Sequence, residues 1–183
     1  NLGMMYGMGV NKLSEQLDIP IDDAKTLINQ YHERVPFVKM LMRGVTDRLN
    51  DKASNGAIRS LKGRKCRFDL WEPDTFEMNK ALPYQEAVLE YGATARLKRA
   101  YTYKALNRLI QASAADMTKQ AMVNVYESGI VPLIQIHDEL AISVKDKAQA
   151  DSVAKVMEDS IPLEVPNACS VEVGESWGTA AWH

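Results

Sequence analysis

A long stretch with helical periodicity, residues 101–128, constrains the fold more than any other feature of the sequence. Apolar side chains recur in it at intervals of three and four, which is the spacing of one face of an α-helix. Gly129 follows at a position where glycine commonly ends a helix. We therefore predict one long helix with a single buried face. That face carries Leu106, Leu109, Ile110, Met117, Ala121, Met122 and Val125.

Two short apolar runs, residues 133–136 and 140–144, follow the helix and have the composition of β-strands. Between them lie His137, Asp138 and Glu139, so two adjacent carboxylates are expected at a hairpin turn. Such a pair is costly unless a positive charge neutralises it, and Mg²⁺ prefers hard carboxylate oxygens. The pattern suggests a metal site, and a solvated acidic turn is the alternative.

The first third of the chain shows helical spacing followed by a strand pattern. Apolar positions predict helical structure over residues 24–49, and Pro36 divides it into two helices because proline cannot continue the hydrogen-bond ladder. Residues 56–70 have the pattern of a β-hairpin with Gly63 at its turn.

The remaining segments give weaker signals. Residues 71–100 mix proline with acidic and basic side chains, which predicts a loop with a short helix. Residues 147–160 have helical spacing, and residues 171–173 are a candidate for a short final strand.

Composition limits the classes of function. The chain has 183 residues, a formal net charge of −2 and 25% charged side chains, so any contact with nucleic acid must be local. Cys66 and Cys169 lack the spacing of a zinc site and are expected to be reduced thiols. No apolar run is long enough to span a membrane, and the first residues do not resemble a signal peptide. Because the chain lacks an initiator Met, we expect a piece of a longer protein.

Three groups of side chains are candidates for contact with nucleic acid. Tyr103, Asn107 and Gln111 lie four apart, and the amides among them can reach base edges. Residues 62–67 form a basic cluster suited to phosphates. Tyr6 lies among glycines, where a ring can stack on a base or sugar. A solvated helix face, an exposed charged hairpin and a core tyrosine are the respective alternatives.

Four of these segments, in this order, resemble family A DNA polymerases, the group of bacterial DNA polymerase I and many phage replicases. The matching segments are residues 1–8 (motif B, the end of the fingers helix), 56–67 (a palm hairpin), 107–116 (the helix under the primer–template duplex) and 135–140 (motif C). The ending, residues 173–178 with His183, is also similar to the family. The resemblance covers nearly the whole chain.

The resemblance implies a role for each matching residue. Asp138 would be a catalytic ligand of two Mg²⁺ ions, with Glu139 as an auxiliary carboxylate beside it. His137 and Gln111 would touch the minor groove at the primer terminus, and Asn107 would contact the template side.

Further roles follow from the other matching segments. Arg64 of the palm hairpin would contact DNA, and Tyr6 would stand at the insertion site for the nucleotide. Leu2 occupies the position of sugar discrimination, where the family usually has Phe or Tyr. Tyr103 stands where bacterial members usually carry Arg, and the segment of residues 71–99 is longer than in bacterial enzymes. These departures point to a phage-type member.

The expected fold class is α+β, part of a right-hand polymerase domain. Residues 1–50 would be a helical remnant of the fingers, and residues 51–183 the palm, an antiparallel sheet with the motif C hairpin backed by the long helix. Primer–template DNA and dNTPs are the expected partners, with replication accessory proteins as further candidates and no membrane. A phage enzyme would act in the cytoplasm of a bacterial host.

The family's second essential Asp would lie upstream of residue 1, so this chain alone is expected to lack polymerase activity. Two other functions stay open. A single-subunit RNA polymerase is a relative, although such enzymes typically have Ser after the Asp, where this chain has Glu139. A non-catalytic relic that only binds primer–template is the second alternative.

Overall fold

A computed structural model describes residues 3, 8–75, 77 and 79–180. The chain divides into two compact units, residues 1–111 and residues 112–183, and each is described by itself. Helices and small antiparallel sheets occur together, which confirms the predicted α+β class. The boundary between fingers and palm at residue 50 stays a prediction.

The first unit begins with three helices: α1 (Val10–Leu17), α2 (Ile21–Arg34) and α3 (Pro36–Asn50). Asp22 and Asp23 lie in the first turn of α2, where carboxylates interact favourably with the helix dipole. Pro36 is the first residue of α3, a position that needs no backbone N–H donor. The predicted division of the helical segment at this proline is confirmed.

A hairpin follows α3, as the sequence predicts. Strand β1 (Ala57–Arg59) pairs antiparallel with β2 (Lys65–Arg67). Gly63 has a φ of +80°, a left-handed conformation that glycine adopts without strain. Ile58 faces the core of the unit. This core consists of Val38, Val45, Leu49, Ile58, Phe68, Ala105 and Leu106.

The next segment differs from the predicted loop. It contains a three-stranded antiparallel sheet, in which β3 (Leu70–Pro73) lies between β4 (Leu82–Pro83) and β5 (Leu97–Arg99). The helix α4 (Tyr84–Tyr91) confirms the short helix that was predicted there. The loop prediction was wrong because the strands are short and pair with residues far away in sequence, as Trp71 does with Arg99.

The long helix α5 (Ala105–Glu127) confirms the strongest prediction from the sequence. Its start is four residues later than the spacing suggests, because Thr102–Lys104 form a tighter 3₁₀ turn. At its other end Gly129, with a φ of +88°, donates its N–H to the carbonyl of Tyr126 at 3.0 Å. Glycine therefore ends this helix as expected.

The second unit contains a hairpin and one further long helix. Strand β6 (Pro132–Ile136) pairs antiparallel with β7 (Glu139–Ile142), and α6 (Lys147–Glu158) follows. The carboxylate of Asp146 caps α6 by accepting a hydrogen bond from the N–H of Gln149 at 2.8 Å. The unit ends in the single turn α7 (Trp177–Ala180). Its buried apolar side chains include Ala121, Val125, Ala150, Val153 and Ile161.

The strand predicted over residues 171–173 is absent, and this prediction was wrong. Val171 and Val173 favour extended backbone, but a strand forms only where a partner accepts its hydrogen bonds. In the described part of the chain no strand pairs with this segment. The described helices also include none that is long and apolar enough to cross a membrane.

Candidate active site

The acidic turn predicted from the sequence joins β6 to β7 through a two-residue loop. Ile136 pairs with Glu139 across the hairpin, so only His137 and Asp138 lie in the loop. His137 has a φ of 54°, which is strained for a residue that carries a Cβ. The side-chain amide of Gln135 donates a hydrogen bond to the carbonyl oxygen of His137 and helps to hold this conformation.

The charges of this turn face solvent. The side chains of His137, Asp138 and Glu139 are all exposed. Within the described residues, no Lys, Arg or His lies close enough to Asp138 or Glu139 to form an ion pair. Asp138 in the turn and Glu139 at the start of β7 are adjacent carboxylates with no cation of the described residues beside them, and such a pair favours the binding of a cation from solution.

Asp138 and Glu139 fit a partial Mg²⁺ site. Mg²⁺ is commonly held by one or two carboxylates together with water and substrate phosphates, so a complete cage of protein ligands is not needed. The described residues contain no group of three His, Cys, Asp or Glu side chains that could hold a metal ion by itself. Further ligands would therefore have to come from substrate, water or residues beyond those described.

The strand that leads to this turn is unusually exposed. The side chains of Leu133 and Ile134 in β6 are 63% and 45% exposed, and that of Val131 just before the strand is 58% exposed. A two-stranded hairpin is at best marginally stable alone, and an exposed apolar surface of this kind commonly marks an interface. The apolar side chains of β6 therefore make this face of the hairpin a candidate interface.

The structure places the other predicted residues in the first unit. Asn107 is half-buried and Gln111 is exposed, one turn apart on α5. Tyr103 lies in the 3₁₀ turn before this helix, so the predicted common face is confirmed only for the two amides. Leu2 and Tyr6 lie outside the described residues, and their roles stay predictions.

Arg64 lies in the loop of the β1–β2 hairpin, where its backbone is fixed. Its N–H donates to Oγ of Ser60 at 3.1 Å, and its carbonyl accepts from the N–H of Ser60 at 3.0 Å. Five basic residues and no acidic residue lie between positions 56 and 67: Arg59, Lys62, Arg64, Lys65 and Arg67. All five side chains are exposed. Such a local concentration of positive charge is suited to phosphates, although the whole chain is slightly negative.

The sequence prediction did not single out Arg59. The hairpin register pairs it with Lys65 and places Ala57 opposite Arg67, so the three basic side chains share the face away from Ile58. The alternation of residues along β1 is the signal that would have included Arg59, because alternate residues of a strand point to the same side.

The two cysteines show no sign of a reactive site. Both are free thiols and partly buried. Burial, and secondarily the negative charge of Glu158, raises the pKa of the Cys169 thiol above its usual value. Since the thiolate is the nucleophile, this shift makes Cys169 less reactive near neutral pH.

Comparison with known proteins gives one consistent family. The family model described as DNA polymerase family A matches residues 1–179. A protein of Pseudomonas phage M6 named DNA-directed DNA polymerase is 30% identical over 211 aligned positions, which cover 97% of this chain and 28% of the phage protein. The thermostable DNA polymerase I of Thermus thermophilus is 32% identical over 98% of this chain and 20% of its own length.

A solved structure is similar in fold over almost the whole chain. It is the polymerase domain of Pol1 from M. smegmatis in complex with DNA primer–template and dNTP. The TM-score is 0.72 at 30% sequence identity, and the match covers 99% of this chain and 30% of the solved one. The chain thus spans between a fifth and a third of the length of these relatives.

Proposed function

This chain belongs to DNA polymerase family A, and from that premise we propose that it is part of the catalytic domain of an enzyme that extends a DNA primer on a template. The observation that carries the proposal is the turn between β6 and β7. It presents Asp138, with Glu139 beside it, as an exposed carboxylate with no ion-pair partner among the described residues. A phage polymerase and bacterial DNA polymerases I are its relatives.

In this proposal Asp138 is a ligand of two Mg²⁺ ions, and Glu139 supports the site. Bound there, the ions would supply a lowered pKa of the primer 3′-hydroxyl and charge stabilisation at the transferring phosphate. The two-residue turn fixes the backbone of Asp138 next to the strands, so its carboxylate would form one edge of this site. The second carboxylate would come from a part of the polypeptide that precedes this chain.

Other residues of the chain would position the DNA. The amide of Gln111 and the imidazole of His137 can donate hydrogen bonds to the minor groove at the primer terminus. The acceptors there are nearly the same for all correct base pairs, so such contacts do not select a sequence. Asn107 would contact the template side, and Arg64 with the other basic residues of its hairpin would hold phosphates. Tyr6 and Leu2 would stand at the insertion site.

We also propose that the chain needs the rest of its polymerase domain for activity. The chain spans 28% of its phage relative and 20% of its Thermus relative. The exposed apolar side chains of β6 are suited to packing against a further strand or helix. Without that neighbour neither the second carboxylate nor the fixed position of the turn would be available.

Primer extension by the full-length protein in the presence of Mg²⁺ and four dNTPs tests the proposal. The variant Asp138→Asn keeps the shape of the side chain and removes its charge. We expect its activity to fall by about 10³-fold or more, because several kcal/mol of metal-assisted stabilisation is lost.

Asp151→Asn is the matched control for this experiment. Asp151 is an exposed aspartate of the same unit, and among the described residues its ion-pair partner is Lys147, at 3.0 Å on the surface. Loss of that pair costs at most about 1 kcal/mol of stability and no activity. If Asp138→Asn extends the primer as well as Asp151→Asn does, the proposed catalytic role is wrong. A full-length protein that binds primer–template but never extends it would be the non-catalytic relic.

A further inference from the structure

The side chain of Arg99 reaches from β5 to the base of the β1–β2 hairpin, and we propose that it is a positioning residue for the basic side chains of this hairpin. Arg99 is half-buried and is the last residue of β5. Its Nη1 donates a hydrogen bond to the carbonyl oxygen of Phe68 at 2.8 Å. Phe68 follows β2 directly, so a residue of the three-stranded sheet holds the point where the chain leaves the hairpin.

The point where the chain enters the hairpin is held at the same place. Gly56 lies directly before β1, and its carbonyl oxygen accepts a hydrogen bond from the N–H of Phe68 at 2.9 Å. The guanidinium of Arg99 lies so close to Gly56 that a Cβ at this position would overlap it. Gly56 also has a φ of +67°, so both its conformation and its space favour glycine. Arg99 therefore contacts both ends of the hairpin.

The guanidinium is itself fixed by the three-stranded sheet. It lies 4.5 Å over the ring of Trp71, which is the cross-strand neighbour of Arg99 in β3. The rings of Trp71 and Tyr84 meet edge to face, with their centroids 5.1 Å apart. A planar guanidinium stacks on a ring with its face and donates hydrogen bonds at its edge. The position of the Arg99 side chain is therefore set by β3 and α4, outside the hairpin.

The hairpin needs support of this kind. Its strands have three residues each, and a two-stranded hairpin is at best marginally stable alone. Arg59 and Lys65 form a cross-strand pair of like charges, which weakens it further. The core contacts of Ile58 hold one face of the hairpin, and Arg99 holds its base. Phosphate contacts set the register of a protein on DNA, so the cations that make them must be held in place.

The inference rests on the proposed function, because the position of the hairpin matters to DNA binding only if its cations hold phosphates. In this account Arg59 and Lys65 meet phosphates directly, whereas Arg99 acts through the hairpin. A residue that acts through the hairpin loses part of its effect once a hairpin charge has been removed. The substitutions at Arg99 and Lys65 should therefore be coupled and not additive.

The affinity of the full-length protein for primer–template, measured for Arg99→Met, Lys65→Gln and the double variant, tests this coupling. Methionine keeps a long apolar side chain and removes the guanidinium. We expect each single variant to bind about threefold or more weakly, and the double variant to lose at most about twofold beyond the weaker-binding single variant. Arg96→Met is the matched control, because Arg96 lies three residues away and its ion pair with Asp74, at 3.4 Å, is on the surface. It should change neither the affinity nor the effect of Lys65→Gln.

Hydrogen exchange of the free protein gives a readout that does not depend on DNA. Arg99→Met should accelerate exchange of the hairpin amides, residues 57–67, by about fivefold or more and leave the amides of α2 unchanged. Arg96→Met should change neither set.

Three results would each overturn the positioning role of Arg99: unchanged exchange in the hairpin, equal acceleration in α2, or losses of affinity that multiply in the double variant. Normal binding and extension by the unmodified protein together with any of these results would leave the proposed function intact. An unmodified protein that neither binds nor extends primer–template would instead remove the proposed function, and the exchange rates would still show whether Arg99 holds the hairpin.

Discussion

Arg59 and Lys65 lie directly opposite each other across the β1–β2 hairpin, so two positive side chains occupy one cross-strand pair. Like charges in such a position destabilise a hairpin. The described residues give neither side chain an ion-pair partner, and Arg59 only donates to the carbonyl oxygen of Gly63 at 2.7 Å. The pair is therefore better suited to a bound anion than to the stability of the free protein.

This pair predicts opposite effects on stability and on binding. Lys65→Glu should stabilise the free protein by about 0.2–1 kcal/mol, because an opposite-charge pair replaces a like-charge pair. The same change should weaken binding of primer–template and lower the dependence of the affinity on salt. Lys65→Gln removes one charge instead of reversing it. It should reduce the slope of the logarithm of the DNA affinity against the logarithm of the salt concentration by about 1. Thermal unfolding and DNA titrations at several salt concentrations measure both effects. Tighter DNA binding by Lys65→Glu would contradict the phosphate-binding role of the hairpin.

His137 gives a related prediction for the acidic turn. His137→Gly removes the Cβ from a residue with a φ of 54°, so the stability of the protein should stay equal or rise by up to about 1 kcal/mol. Primer extension should nevertheless fall, because the variant lacks the imidazole that we propose contacts the primer terminus. Melting temperature and extension rate are measured on the same preparation. A rate that follows the stability upward would show that His137 has only a structural role.

The exposed apolar side chains of β6 predict that one substitution acts differently in this 183-residue chain and in the proposed full-length polymerase. Leu133→Lys should make the isolated 183-residue chain more soluble, because the Leu133 side chain is 63% exposed there. In the full-length protein the same change should destabilise the fold, since the charge would be buried against the covering surface. Leu89→Lys is the control, because Leu89 is 85% exposed on α4 and should be tolerated in both. Equal tolerance of Leu133→Lys in the full-length protein would contradict a covered hairpin.

The raised pKa of the Cys169 thiol predicts how its rate of alkylation changes with pH. Burial, with a smaller contribution from Glu158, raises the pKa of its thiol, so alkylation in a Cys66→Ser background should be slow near neutral pH and should accelerate only as pH approaches the raised pKa. Glu158→Gln should accelerate it only in part, because burial is the larger cause. Because its pKa is higher in the folded state, the Cys169 thiol stabilises the fold at pH values below its unfolded-state pKa. This stabilisation is lost as the pH rises through its folded-state pKa. Rapid alkylation at neutral pH would contradict this environment for the thiol.

Elements defined by local chemistry could be predicted from the sequence. Pro36 divides two helices, Gly63 turns a hairpin and Gly129 ends α5, each through the backbone restrictions of a single residue. The acidic turn was also predicted, because two apolar strands flank it closely. The same pattern places Asp138 and Glu139 at this turn, and their catalytic role stays a prediction.

Elements that depend on distant partners could not be predicted in this way. Strand β3 pairs with β5, and the guanidinium of Arg99 lies 4.5 Å over the ring of Trp71 while donating to the carbonyl oxygen of Phe68 at 2.8 Å. None of these contacts leaves a periodic trace in the sequence. Residues 171–173 are the opposite case, since their composition favours a strand but no strand of the described residues pairs with them. The positive φ of Tyr101 was not predicted, because it is imposed by the fold and not by the residue type.

The role of Asp138 in chemistry, as opposed to binding, is tested most directly by single-turnover incorporation of one nucleotide into a preformed complex of full-length protein and primer–template. Affinity and the rate of the chemical step are then measured separately for the unmodified protein and for Asp138→Asn. We predict an unchanged affinity and a rate lower by about 10³-fold or more. An unchanged rate, or a loss confined to affinity, would contradict the assignment of Asp138 as the catalytic metal ligand.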